Sequence, residues 1–173
     1  ASVSISDGIV AVGARSSDRA DGYGSVYIFE KSSSDDASSW GQMAKLKADD
    51  AGWRDEFGIS VAISKGIVVV GAYKDDDKGL DSGSVYLFEK SSPDDASSWA
   101  QVAKLTADDG ANGDQFGNSV AISDGTIVVG ANGDDDNGSH SGAAYLFEKS
   151  SPDDASSWAQ VAKLTADDGA RDD

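Results

Sequence analysis

The 173-residue chain carries 31 acidic residues against 14 basic ones, a formal net charge of −17, and no cysteine. A surface this acidic repels phosphate backbones and anionic lipid, so neither nucleic acid nor direct membrane insertion is expected, and disulfide or thiolate chemistry is excluded. The acidic residues are dispersed and 39% of the chain is apolar, which points to a folded protein rather than a disordered one.

From the start, "ASVSISDGIVAVGA" (1–14) reads as an alternating strand, a two-residue turn at Asp7-Gly8 and a second, apolar strand. The order returns as "DEFGISVAISKGIVVVGA" (55–72), headed by Phe57-Gly58 and turning at Lys65-Gly66. It returns again as "DQFGNSVAISDGTIVVGA" (114–131), headed by Phe116-Gly117 and turning at Asp124-Gly125. A residue followed by Gly between apolar runs suits the primed hairpin turns, where glycine takes positive φ without steric cost. The second strand, "IVVVGA" from Ile67 or "TIVVGA" from Thr126, is apolar on both faces and needs cover above and below. A Gly/Asp loop leads to a third strand, "SVYLFEK" from Ser84. The loop "KSSPDDASS" then leads to a fourth, "WAQVAKLTA" from Trp99 and again from Trp158. Simple alternation puts Trp99, Gln101, Ala103 and Leu105 on one side of it.

The period is constant. Trp40, Trp99 and Trp158 are 59 apart, as are Tyr27, Tyr86 and Tyr145; Gly13, Gly71 and Gly130 are spaced 58 and then 59. The text from Tyr86 repeats identically from Tyr145, which is a tandem duplication. A four-stranded meander repeated in tandem, with two faces to cover, is what a β-propeller blade requires. The expected fold is therefore all-β: three four-stranded antiparallel sheets in tandem within one repeat domain, as blades over 1–59, 60–118 and 119–173.

At "FG.SVAIS" followed by "VVGA", and in the trailing "GxAYLFEK…W.QVAKLTADDGA", the chain resembles the FG-GAP repeat of integrin α-like propellers, in its microbial-type variant. Phe57-Gly58, Gly71-Ala72, Phe116-Gly117 and Gly130-Ala131 carry the resemblance. It implies a β-propeller, commonly of seven blades, exposed outside the cell or at its surface and used for binding or adhesion. Two features depart from it. The family's calcium loop between the first two strands is replaced by "SDGI", "SKGI" and "SDGT", too short to wrap a cation that takes six to eight oxygens. The proline that follows Gly-Ala is replaced by Arg15, Tyr73 and Asn132.

Three blades do not make an ordinary ring, which closes at about four to eight. The first unit also lacks the Phe-Gly head of the others. Further blades are expected, either from a longer chain, the favoured reading, or from a second copy completing the ring.

No catalytic constellation repeats. His140 is the single histidine and stands in the third unit only, so a non-enzymatic protein is expected. The acidic loops are the best candidate site. Asp75, Asp77 and Asp81 in "KDDDKGLDSG", and Asp134 and Asp136 with Asn137 and Ser139 in "GDDDNGSHSG", offer oxygens at alternate positions around Gly79 or Gly138. They are read either as a calcium site or as solvated turns; the first unit offers only Asp18 and Asp21. No other cofactor is expected. The rim formed by these loops and the unit-to-unit connections would be strongly acidic. Its expected partner is a basic protein, a cation-bridged glycan or a basic patch of another copy. Trp53 lies on that rim without a counterpart, Asn112 standing at its place. With Trp53, His140 completes the ligand-rim candidates. Asn137-Gly138-Ser139 is a glycosylation acceptor in a eukaryotic secreted context. The leading functional expectation is an extracellular or cell-surface binding module. The alternatives are a structural subunit of a surface layer, sheath or appendage and, more distantly, the scaffold domain of a secreted enzyme.

Overall fold

The structure is a computed structural model that describes residues 1–15, 22–33, 36, 38–92, 95 and 97–168. Among them there is no helix, and twelve strands form three four-stranded sheets. The first sheet runs β1 (Ser2–Ser6), β2 (Ile9–Ala14), β3 (Ser25–Lys31) and β4 (Trp40–Leu46). The second runs β5 (Ser60–Ser64), β6 (Ile67–Ala72), β7 (Ser84–Lys90) and β8 (Trp99–Leu105). The third runs β9 (Phe116–Ser123), β10 (Thr126–Ala131), β11 (Ala143–Lys149) and β12 (Trp158–Leu164). Each is an antiparallel meander in sequence order, the arrangement of a propeller blade.

The first hairpin of each blade turns as its chemistry dictates. Both central residues have positive φ: 51° and 76° at Asp7-Gly8, 50° and 78° at Lys65-Gly66, 49° and 86° at Asp124-Gly125. That is the type I′ geometry whose twist matches the flanking strands.

The blades stack through two apolar cores. One joins Ala11, Val26, Ile28 and Leu46 of the first blade to Val61, Val68, Val70, Tyr86 and Phe88 of the second. The other joins Val69, Val85, Leu87 and Leu105 of the second blade to Ile127, Val129, Tyr145 and Phe147 of the third. The middle blade is therefore covered on both faces, which is why β6 can place Val68, Val69 and Val70 side by side, all fully buried. In the third blade the same run alternates, Val129 buried and Val128 exposed.

The Phe-Gly and Gly-Ala pairs are two halves of one contact between successive blades. Phe57 stands edge-on to Tyr86 and Phe88, with ring centroids 5.5 and 5.9 Å away, and Phe116 repeats this on Tyr145 and Phe147. Beside it, the Gly117 carbonyl accepts a hydrogen bond of 2.7 Å from the Ser60 hydroxyl of the preceding blade. A Cβ on Gly71 would sit 1.9 Å from that carbonyl oxygen, so only glycine lets the two backbones meet.

One expectation is corrected. Trp99, Gln101, Ala103 and Leu105 do not share a side. The pairing of β7 with β8 shifts between Leu87 and Phe88, which face Ala103 and Gln101, leaving Val102 as the extra residue of a bulge. The bulge reverses the alternation. Trp99 packs into the core toward the first blade and Leu105 into the core toward the third. The same shift recurs in the other two blades.

Candidate functional site

The loop between β6 and β7 and the connection between β4 and β5 meet along one rim. They enclose an open cleft of about 370 Å³ lined by Asp50, Gly52, Trp53, Asp55, Asp75, Asp76, Asp77 and Lys104. Asp50 to Asp55 come from the connection, Asp75 to Asp77 from the loop, and Lys104 from β8. Tyr86 and Lys104 are opposite one another in the β7–β8 register, which brings the lysine over the tyrosine ring at 5.1 Å.

The ammonium of Lys104 is the centre of the cluster. Its Nζ lies 2.7 Å from Asp50 Oδ2, 3.2 Å from Asp75 Oδ2 and 2.5 Å from Asp77 Oδ2. Tyr86, fully buried, donates its hydroxyl to Asp75 Oδ2 at 2.7 Å. The other oxygen of Asp75 accepts the backbone N–H of Asp77 at 3.1 Å. Both oxygens of the buried Asp75 are thus used inside the protein. The third blade repeats the cluster. Lys163 Nζ lies 2.8 Å from Asp109, 2.8 Å from Asp134 and 2.5 Å from Asp136, and the Tyr145 hydroxyl donates to Asp134 at 2.7 Å.

These contacts set the protonation states. Burial alone would lower Lys104, but its hydrogen bonds to Asp50 and Asp77 and the charge of Asp75 outweigh that and carry it well above the ordinary lysine range. Lys163 is raised in the same way. Burial and the hydrogen bond to Asp75 raise the Tyr86 phenol, and burial with Asp134 raises that of Tyr145. Burial works to raise Asp50, and the lysine overrides it to leave a net lowering. Asp55 goes the other way. Burial raises it and the neighbouring Asp75 and Asp76 add to the rise, against the Gly52 N–H that it accepts at 2.6 Å.

Of the sequence candidates, Asp75 and Asp77 are brought together, as are Asp134 and Asp136, in each case around a lysine. Asp81 is not in the cleft; its backbone N–H is bonded to Asp76 Oδ1 at 2.8 Å. Among the described residues, no group of three or more His, Cys, Asp or Glu side chains is arranged to hold a metal ion. Trp53 does line the cleft, 55% exposed, with the Arg54 guanidinium stacked 4.0 Å over its ring. His140 is exposed in the third blade's loop, its Nδ1 3.1 Å from the Ser139 hydroxyl. The Asn137 amide donates to the Ala166 carbonyl at 3.1 Å. Asp18 and Asp21 lie outside the described residues.

Sequence reasoning missed Asp50, Asp55, Lys104, Lys163 and the hydroxyls of Tyr86 and Tyr145. The signal was there: Lys45, Lys104 and Lys163 keep the 59-residue period of the tyrosines. A constant cation on the strand paired to a constant tyrosine marks the counter-ion of the aspartates.

The model of the FG-GAP repeat matches residues 40–88 and 99–147, each match running from the fourth strand of one blade to the third strand of the next. No curated protein matches the chain. Among solved structures, the chain is similar to Chaetomium thermophilum Sqt1 bound to the N-terminus of the ribosomal protein L10. The TM-score is 0.60 at 16% identity, over 97% of this chain and 38% of that one. That neighbour is itself a β-propeller. With three stacked meanders, two Phe-Gly pairs seated on Gly-Ala pairs and the family matching more than half of its length, the chain belongs to the FG-GAP repeat family.

Proposed function

We propose that this chain is a non-catalytic binding module, displayed outside the cell or at its surface, which meets a cationic peptide segment of a protein ligand at the acidic rim. The cleft carries this reading. It sets an exposed indole, stacked with Arg54, beside the carboxylates of Asp50, Asp55, Asp75, Asp76 and Asp77, which outnumber the single ammonium of Lys104 in the cleft and leave an excess of negative charge that attracts arginine and lysine side chains. Lys104 and Lys163 stand where a bound cation would balance the loop aspartates, so calcium is not needed for the rim to hold its shape. A structural neighbour of the same fold is named for a complex with the N-terminus of another protein, which fits a propeller rim reading a peptide.

The test is titration with a short arginine-rich peptide. Binding is expected to weaken by about tenfold or more when salt rises from about 0.05 M to about 0.5 M. Trp53→Ala is expected to weaken it further, while Trp40→Ala leaves it unchanged. Binding indifferent to salt and to Trp53 would remove the proposal.

A second reading, a structural subunit that assembles through its blades, draws on a separate observation. Val3, Ile5 and Trp40 are exposed on the first blade, and Val128 and Leu164 on the third.

A further inference from the structure

The blades repeat one another closely, and one place where they depart is the wall of the rim cleft. Two connections cross from blade to blade, residues 47–59 between β4 and β5 and residues 106–115 between β8 and β9. Their backbones run alike. Asp55 accepts the Gly52 N–H at 2.6 Å, and Asp114 accepts the Ala111 N–H at 2.7 Å. Glu56 and Gln115 have φ of 56° and 57°, and Arg54 and Gly113 have φ of 79° and 85°. The side chains differ: Trp53-Arg54 stands in the first connection where Asn112-Gly113 stands in the second.

Arg54 is the anomaly of the pair. Its φ suits glycine, and a bulky residue held there is strained. The joint imposes that conformation, because the Arg54 N–H donates to the Gly22 carbonyl at 3.1 Å, as the Gly113 N–H donates to the Leu80 carbonyl at 2.9 Å. The side chain does not go to the opposite charge beside it. Five carboxylates line the cleft, yet among the described residues none pairs with the guanidinium, whose Cζ lies 4.0 Å from the centroid of the Trp53 ring. Both residues are exposed, so the contact fills no core.

We infer that Arg54 is a resident stand-in for a ligand guanidinium: it covers the indole of the cleft, and an arginine of a bound peptide gains that face only by displacing it. This deepens the reading of the rim as a site for cationic peptides and rests on it. The cleft is then indifferent to the kind of cation it receives. A ligand arginine exchanges one stacked guanidinium for another, while a lysine leaves Arg54 in place and meets only the carboxylates. With glycine at position 54 the indole is open. A guanidinium stacks on it better than an ammonium does, so a preference for arginine should emerge. Loss of the Arg54 charge raises the attraction for both peptides alike and cannot separate them.

Calorimetric titration with arginine and lysine homopeptides of equal length tests this on the parent, Arg54→Gly, Trp53→Ala and the double variant. The parent should bind the two peptides within about twofold of each other, and Arg54→Gly should favour the arginine peptide by about fivefold. The double variant should lose that preference, because the aromatic face is gone. Arg54→Gly installs the residue that already holds this backbone at position 113, so its thermal midpoint should not fall below the parent's. A parent that already favours arginine, equal tightening for both peptides, a preference that survives without Trp53, or a lowered midpoint would each overturn the inference. Those outcomes leave the cationic-peptide reading standing. Binding of neither peptide by the parent or any variant would remove that reading, and this inference with it.

Discussion

Lys104 holds three carboxylates that would otherwise repel one another, and its own site is largely closed, 17% of its side chain being exposed. Removing the ammonium leaves the buried Asp75 carboxylate without its counter-charge, whereas Asp50 and Asp77, about half exposed, still reach water. Lys104→Met is therefore expected to cost about 3 kcal/mol in urea denaturation. Lys65→Met, which breaks an exposed pair with Asp124, should change stability by less than about 0.5 kcal/mol. The same cluster fixes a pH dependence. Lys104, Lys163, Tyr86 and Tyr145 all have folded-state values raised above their unfolded ones, so the folded state holds these protons more tightly. Their contribution is complete below the ordinary values of 10.0 for tyrosine and 10.5 for lysine, and is lost as pH rises past them. Denaturation midpoints taken from about pH 7 to about pH 11 should fall steeply only at the alkaline end, and Tyr86→Phe with Tyr145→Phe should flatten the fall. An unchanged slope in that double variant would remove the tyrosines from the account. The acidic loop was legible from its spacing; the lysine that satisfies it was legible only as a position repeating every 59 residues, because its contact with the loop is made from the fourth strand of the blade.

At the level of elements, the strands and their turns could be read directly. Asp7-Gly8, Lys65-Gly66 and Asp124-Gly125 demand type I′ hairpins, and the apolar run of β6 demands cover on both faces. The bulge at Val102 could not be read, because no residue type marks it. It follows from the tertiary need to send Trp99 into one core and Leu105 into the other. The Phe-Gly motif is likewise visible as text, but its partner is the Gly-Ala of the blade before it, Gly13 meeting Gly58 and Gly71 meeting Gly117, a contact between segments about 45 residues apart. That contact predicts a hierarchy. Phe57→Ala opens a cavity against Tyr86 and Phe88 and is expected to destabilise by about 3–5 kcal/mol. Hydrogen exchange should show the loss as faster exchange in β1 to β4, while β9 to β12 keep their protection. Uniform loss of protection in all three blades would mean that the joints do not act as separate units.

Over the whole molecule, the charge of −17 sits on a fold whose described lysines are largely engaged with carboxylates or aromatic rings. The remaining acidic residues repel one another in the compact state and relax on unfolding. Screening should therefore stabilise the protein, and the identity of the cation should matter little because the loop aspartates are already balanced by Lys104 and Lys163. Thermal unfolding followed by circular dichroism is expected to give a Tm that rises by several degrees, roughly 3–8 °C, between low salt and about 0.5 M sodium chloride. Calcium and magnesium at matched ionic strength should give equal shifts. A rise specific to calcium, at concentrations too low to screen, would show that the rim binds the ion and that the lysines do not take its place. The Lys104→Met variant separates the two accounts further: with the ammonium gone, its Tm should become more sensitive to divalent cations than that of the parent, because the three carboxylates then face one another without a counter-charge.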